Sequence, residues 1–313
     1  MKIRFLFKMG MIKKYKTVQN PARLSHGDKI GIVAPSSPFD HQVFQNGIAV
    51  LEKKGFHVTV PDNLFSKKGY LAGSDKQRAL QLNNSFADPE IKAILCARGG
   101  FGALRILPFL DYHLISRHPK IFIGFSDITA LLAVLYYKCN LVTFHGPVAT
   151  SLGNAPSETQ NAFFNALMSQ NTLQIKSSQP ICLNSGIVTA PLIGGNLTTL
   201  CHLVGTSFAP DLSDHILLLE DRGEATYRID RMLSQMKLAG CFDNLTGLVL
   251  GSFEECGPAE SVYKIVNNIF KFKNIPIAAG FEIGHGAQNM TVPLGVRVEL
   301  DASHGLLTYD NFS

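Results

Sequence analysis

Read from Asp28 onward, the chain alternates short apolar runs with longer stretches of helical spacing. Lys29–Ala34 is β-rich and ends in the sharp turn Pro35-Ser36-Ser37-Pro38. Phe44–Lys54 reads as a helix stopped by Gly55, Phe56–Val60 as a strand and Asp75–Phe86 as a helix. Ile91–Cys96 and Ile121–Phe125 read as buried strands, with a helix over Gly102–Leu110 between them. Ser126 ends the second of these strands, Asp127–Lys138 has the length of a helix, and Leu141–Phe144 is the next strand. Strand–helix alternation with short connections implies a parallel sheet covered by helices, with ligands bound beyond the carboxyl ends of its strands.

The pattern changes over 150–185, where Ser, Asn and Gln dominate and one helix is expected near Thr159–Met168. A second alternating part follows: Ile187–Pro191, a turn at Gly194-Gly195-Asn196, a helix over Leu197–Leu203, and the strand Ile216–Leu219 running into Glu220-Asp221. Tyr227–Leu238 places Ile229, Met232, Leu233 and Met236 on one helical face. Leu248–Leu250, a helix over Ser261–Phe272, Ile277–Ala279, Val296–Leu300 and Gly305–Tyr309 complete the reading. The expected division is a basic, disordered tail over 1–24, a first α/β domain over 25–150, a linker over 151–180 and a second β/α domain over 181–313.

Composition is that of a globular protein, at 46% hydrophobic and 17% charged residues in a chain of 313. The net charge of +5 belongs to the tail, which holds seven basic and no acidic side chains; the remainder has 22 basic against 24 acidic. The body thus has no overall basic excess to attract nucleic acid. No apolar run reaches the roughly 18 residues of a membrane span. Phe5–Phe7 is too short for the apolar segment of a secretory signal, so a cytoplasmic protein is expected. The six cysteines are scattered, without metal-ligand spacing or a disulfide framework, and neither a metal nor another cofactor is expected.

Three polar residues stand just past apolar strands: Ser126, Glu220 and His285. A hydroxyl needs a base to become a nucleophile, imidazole suits that role near neutral pH, and a carboxylate on the other ring nitrogen fixes the tautomer. A serine at a strand-to-helix turn also lies beside unpartnered helix N–H groups, which suit a developing oxyanion. Each residue has a plainer reading: Ser126 or Asp127 as a helix cap, Glu220 as a solvated strand end, His285 as a turn histidine. The glycine-rich Arg98–Gly102 lacks the Walker spacing, Ala34–Pro38 lacks the dinucleotide fingerprint, and Ser126 lacks the G-x-S-x-G elbow of α/β-hydrolases. Asn196 is a candidate for substrate contact, with a helix cap as the alternative.

The chain resembles the LD-carboxypeptidase family of serine peptidases, which also contains the microcin C immunity peptidases. The matching stretches are Gly31–Pro38, Ala97–Arg105, Gly124–Asp127, His145–Pro147, Gly194–Leu197, Leu217–Asp221, Arg228–Leu233, Gly284–His285 and Pro293–Gly295. Phe101 stands where the family usually has Tyr, and Phe125 occupies a variable position. The resemblance implies a flavodoxin-like N-terminal domain and a smaller, swivelling-type C-terminal β/α domain. It also implies Ser126 as nucleophile, Glu220 as acid, His285 as base, and the backbone N–H groups of Gly100 and Asp127 as oxyanion donors. The site would lie between the domains, and their relative motion would assemble it. The implied reaction releases the terminal D-alanine of a cytoplasmic murein tetrapeptide in cell-wall recycling, through an acyl-enzyme and in a homodimer. An immunity-type peptidase acting on an acyl-adenylate peptide analogue is the alternative enzyme. A non-catalytic α/β ligand-binding protein is the alternative of another class.

Overall fold

The computed structural model describes residues 18–309. The expected disordered tail lies outside the described residues over 1–17 and is corrected over 18–24. There Gln19 bridges to Leu141, the Arg23 guanidinium donates to the Ala166 carbonyl, and Leu24 is buried.

The first sheet contains β1 (Lys29–Val33), β2 (His57–Thr59), β3 (Ile91–Cys96), β4 (Ile121–Gly124) and β5 (Thr143–His145), mutually parallel in the order β2-β1-β3-β4-β5. This is the flavodoxin-like order, whose connections reverse direction between β1 and β3. β4 is buried along its whole length, as a strand covered on both faces must be, which is why it carries no polar alternation. The helix Asp75–Ala87 begins at a capping box formed by Ser74 and Gln77. Two expected helices start or end differently. Gly102–Leu110 is a helix only over Ala103–Ile106 and continues as a 3-10 turn, Leu107–Phe109, that accommodates Pro108. Ser126–Ile128 is likewise a 3-10 turn, and the α-helix runs over Thr129–Cys139.

Little of 151–180 is free linker. The helix Ser157–Met168 buries Phe163 and Leu167, and the Phe164 ring stacks 6.1 Å from Phe56 of the first unit. β6 (Leu173–Lys176) and β7 (Ile181–Asn184) are opposite edges of the second sheet. The centre of that sheet is four parallel strands: β8 (Ile187–Asn196), β9 (Ile216–Arg222), β10 (Gly247–Glu254) and β11 (Ile277–Ala279). Then β12 (Val292–Leu294) crosses back and pairs antiparallel with β5, becoming the sixth strand of the first sheet. β13 (Arg297–Asp301) and β14 (Leu306–Tyr309) return to the second, whose order is β6-β14-β13-β8-β9-β10-β11-β7.

β8 runs straight through Gly194-Gly195, where a turn was expected. A Cβ on Gly194 would lie 2.0 Å from the Leu218 carbonyl oxygen, so β8 and β9 approach this closely only with glycine there. β9 in turn continues through Glu220 and Asp221, both buried, because each carboxylate finds partners inside the fold. Buried apolar side chains of both sheets form one continuous core. Among the described residues no helix is long and apolar enough to cross a membrane.

Candidate active site

The loops after β1, β3 and β4 meet at the reversal of strand order, and Ser126 stands at their centre. Its φ is +64°, left-handed backbone that costs a non-glycine residue about 1–3 kcal/mol. Such strain persists only where the surroundings hold it, and here they do. A Cβ on Gly99 would come within 2.9 Å of Ser126 Cβ and 3.2 Å of its Oγ, so the β3 loop lies directly on the serine. Gly100, at φ +104°, rests on Ser37, whose hydroxyl accepts the Phe101 N–H at 3.0 Å.

Asp127 ties the three loops together. Its Oδ2 accepts the Ser36 hydroxyl at 2.6 Å and the Ala103 N–H at 2.8 Å. Burial raises this carboxyl above its ordinary value, and the two hydrogen bonds offset the rise only in part. No side chain caps the 3-10 turn or the helix after it, so the structure does not give Ser126 or Asp127 the plain capping role. The backbone N–H groups of Gly100 and Asp127 donate no hydrogen bond to another described residue. Both belong to the loops that the Ser36, Ser37 and Asp127 hydrogen bonds tie together, and Gly100 lines the same cavity as Ser126.

Glu220 and His285 come together from the second sheet. His285 Nδ1 lies 2.6 Å from Glu220 Oε2, with the carboxylate fully buried. Gly284 makes this approach possible: at φ +109°, a Cβ there would sit 2.3 Å from the same oxygen. The loop is pinned on both sides of the histidine, by Gly284 N–H to Asn289 Oδ1 and by Gly286 N–H to Ser252 Oγ, each at 2.9 Å. The Phe125 ring packs 4.8 Å from the imidazole. Burial opposes ionisation of Glu220, but His145 and His285 outweigh it and hold the carboxyl well below its usual range. Desolvation likewise opposes protonation of His285, and pairing with Glu220 overcomes it, raising the imidazole above its ordinary 6.5.

Ser126 and His285 line one cavity of about 460 Å³, together with Gly99, Gly100, Phe125 and Arg98. No hydrogen bond joins them directly; catalytic contacts of this kind often tighten only when substrate arrives. The cavity thus brings together an alcohol, an imidazole paired with a buried carboxylate, and the glycine-rich backbone of the β3 loop. That arrangement can pass a proton from the hydroxyl and hold an oxyanion.

Asn196 is the register partner of Glu220 across β8 and β9 and takes the helix-cap role that was its alternative reading. Its Oδ1 caps the helix Leu197–Leu203 through the Thr199 N–H at 3.0 Å, its Nδ2 donates to Asp221 at 2.9 Å, and it is buried away from the cavity. Sequence reasoning missed Arg98, Ser36 and His145. The first two lay in glycine- and serine-rich loops that already read as turns, and His145 ends a short apolar strand.

Two family profiles match the chain: LD-carboxypeptidase N-terminal domain over residues 30–146 and LD-carboxypeptidase C-terminal domain over 189–300. A probable murein peptide carboxypeptidase of Bacillus subtilis is 34% identical over 292 residues, covering 90% of this chain and 92% of the relative. The microcin C7 self-immunity protein MccF of Escherichia coli is 33% identical over 329 residues, covering 93% and 95%. The crystal structure of an MccF-like protein from Bacillus anthracis superposes with a TM-score of 0.87 at 29% identity, covering 92% of this chain and 98% of that one. With both profiles in the expected order and these relatives aligned over nearly their whole length, the chain belongs to the LD-carboxypeptidase family of serine hydrolases.

Proposed function

We propose that the protein is a serine carboxypeptidase that releases a terminal D-amino acid from a murein tetrapeptide through an acyl-enzyme. The observation that carries this reading is the strained Ser126 sharing a cavity with His285, itself 2.6 Å from the buried Glu220. Ser126 Oγ attacks the scissile carbonyl carbon while His285 takes its proton. The carbonyl oxygen, now an oxyanion, turns to the Gly100 and Asp127 amides, where one such donor is typically worth about 10²–10³ in kcat. Collapse expels the amine of the D-residue, which leaves with the proton from His285. Water, deprotonated by the same imidazole, then hydrolyses the ester and regenerates the hydroxyl. Glu220 holds the ring through Nδ1 and stabilises the imidazolium in both halves.

An exopeptidase also needs a cation for the free carboxylate. Of the two arginines on the cavity, Arg222 is paired with Glu255 at 2.7 Å, whereas Arg98 spends one N–H on the Pro38 carbonyl and is otherwise exposed to the cleft. Arg98 is therefore the proposed carboxylate partner. The murein substrate follows the Bacillus subtilis relative, a probable murein peptide carboxypeptidase; a cytoplasmic recycling role and a homodimer are proposed on the family resemblance alone. A second reading, an immunity-type peptidase for acyl-adenylate analogues, is favoured by the TM-score of 0.87 to the MccF-like structure and disfavoured by the lack of any tryptophan to stack an adenine.

The test is mass spectrometry of products from a panel of tetrapeptides and adenylated peptides. D-Alanine release by the parent and none by a folded Ser126→Ala variant supports the first reading. Cleavage of the adenylated compounds alone selects the second. Equal release by Ser126→Ala overturns both.

A further inference from the structure

His145 is a buried histidine with no hydrogen-bonding partner. It ends β5, its side chain is fully buried, and neither ring nitrogen makes a hydrogen bond. Such a group costs stability unless something in the working protein satisfies it. The second carboxylate oxygen of the catalytic-site glutamate, Glu220 Oε1, is also buried and without a hydrogen bond. These two orphans face each other: His145 Nε2 lies 3.9 Å from Glu220 Oε1, across the junction of the two sheets. That distance is too long for a hydrogen bond and too short to hold a bridging water. A closure of about 1 Å would make it one.

Two hydroxyls lie in the neighbourhood, Thr129, which accepts the Asn196 N–H, and the buried Thr291 beside Gly146, but neither hydrogen-bonds the ring. Gly195 on β8 has no side chain, and a Cβ there would lie 3.2 Å from His145 Cδ2. Phe125 presents a ring edge-on at 6.1 Å, and β12 brings Val292 alongside. The charged groups near the pair are His285 from the loop after β11 and, from β9 itself, Asp221 and Arg222. Asp221 is committed to Asn196 and Thr198, Arg222 to Glu255, and Asp127 to Ser36 and Ala103. Glu220 Oε1 is the acceptor that faces Nε2, so an N–H on Nε2 is the arrangement that would satisfy both groups.

We propose that His145 is a positioning residue for Glu220: it donates Nε2–H to Oε1 when the site closes, holding the carboxylate so that Oε2 stays on His285. The glutamate is then clamped between two imidazoles, one from each sheet. This rests on the reading of Glu220 and His285 as acid and base. A donor on Glu220 lowers the proton affinity of the Glu220–His285 pair, so removing it raises that affinity.

The test compares His145→Phe with His145→Gln, whose amide can place an N–H near the lost Nε2. In the phenylalanine variant kcat falls about tenfold, the rate equivalent of one hydrogen bond, with KM unchanged. The acid limb of its kcat/KM profile moves to higher pH, and glutamine restores both. Equal loss in the two variants, or an acid limb that does not move, would overturn the proposal. Should His145→Phe fail to fold, nitrogen NMR of histidine-labelled parent decides: an Nε2–H tautomer supports the proposal and an Nδ1–H tautomer overturns it. A Glu220→Gln variant assayed alongside separates the two levels, since full activity there would sink the acid assignment itself.

Discussion

Gly284 is the tightest spot in the site, and Gly284→Ala is the sharpest perturbation of it. An alanine at φ +109° is strained by about 1–3 kcal/mol. Its Cβ would also lie 2.3 Å from Glu220 Oε2 and 2.7 Å from Cδ, where relaxed contacts between carbons are about 3.5–4.0 Å. Relief takes roughly 1 Å of movement. Glu220 is fully buried and packed, so the His285 loop is what gives way, and the 2.6 Å contact between them stretches past hydrogen-bonding range. Misplacement of that size costs about 10² in rate. The variant should therefore remain folded, with Tm lowered by about 2–4 °C for each kcal/mol of strain. Its kcat for D-alanine release should fall about a hundredfold. Gly286→Ala is the matched control on the other side of the histidine. Its Cβ would meet Ser252 Cβ at 3.2 Å, with Ser252 Oγ and the Gln288 carbonyl oxygen at ordinary contact distance, and its N–H contact to Ser252 is kept, so its rate should stay near the parent's. Parent-like kcat in Gly284→Ala, or an equal fall in Gly286→Ala, would refute the claim that the Glu220–His285 contact governs the rate.

Because Glu220 holds the His285 imidazole above 6.5, kcat/KM should climb through a midpoint above that value as the base loses its proton. In Glu220→Gln the main raising influence is lost while desolvation remains, so the midpoint of the residual activity should move down; an unmoved midpoint would mean another group titrates. The same pair carries a stability signature. The lowered Glu220 contributes above its ordinary 4.5 and loses its contribution as pH falls through the folded value. The raised His285 contributes below 6.5 and loses its contribution as pH rises through the folded value. The stability gap between parent and Glu220→Gln, read by urea titration, should be widest between pH 4.5 and 6.5. Gly99→Ala would press a methyl within 2.9 Å of Ser126 Cβ; kcat should fall about 10²-fold with KM little changed, which acyl-enzyme trapping would confirm as slowed acylation. Arg98→Ala should raise KM for tetrapeptide by about tenfold or more and leave a C-terminally amidated analogue unaffected, as loss of one charge-assisted hydrogen bond requires.

Much of the site was legible because its residues sit where apolar runs stop. Ser126 stands two residues past Ile121–Gly124, and His285 lies in the loop after a strand that alternation alone identified. Glu220 was legible by position but not by burial. A carboxylate after Leu217–Leu219 looks like a strand meeting water, and only the histidine 65 residues later makes it an interior group. Asp127 reads as a helix cap; its hydrogen bonds run instead to Ser36 and Ala103, on two distant loops. The edge strand Leu173–Lys176 was hidden in a polar stretch because its four residues bury only Ile175. β12 was the least visible element. Three residues with a central proline carry no local strand signal, and their place is set by pairing with β5 and by the Tyr309 hydroxyl on the Pro293 carbonyl.

The crossing of β12 changes what this architecture permits. The segment bearing His285 leaves one sheet at Ala279 and enters the other at Val292, so the imidazole rides on a strap fastened at both ends. Swinging the two halves apart would peel that strap from β5, so any such opening carries the cost of the β5–β12 pairing. It also means the chain cannot be divided into two self-sufficient pieces at the 169–172 connection. A fragment ending there would bare the β5 edge to whatever strand it met, and should clump until the remaining fragment is supplied in trans and restores the missing partner.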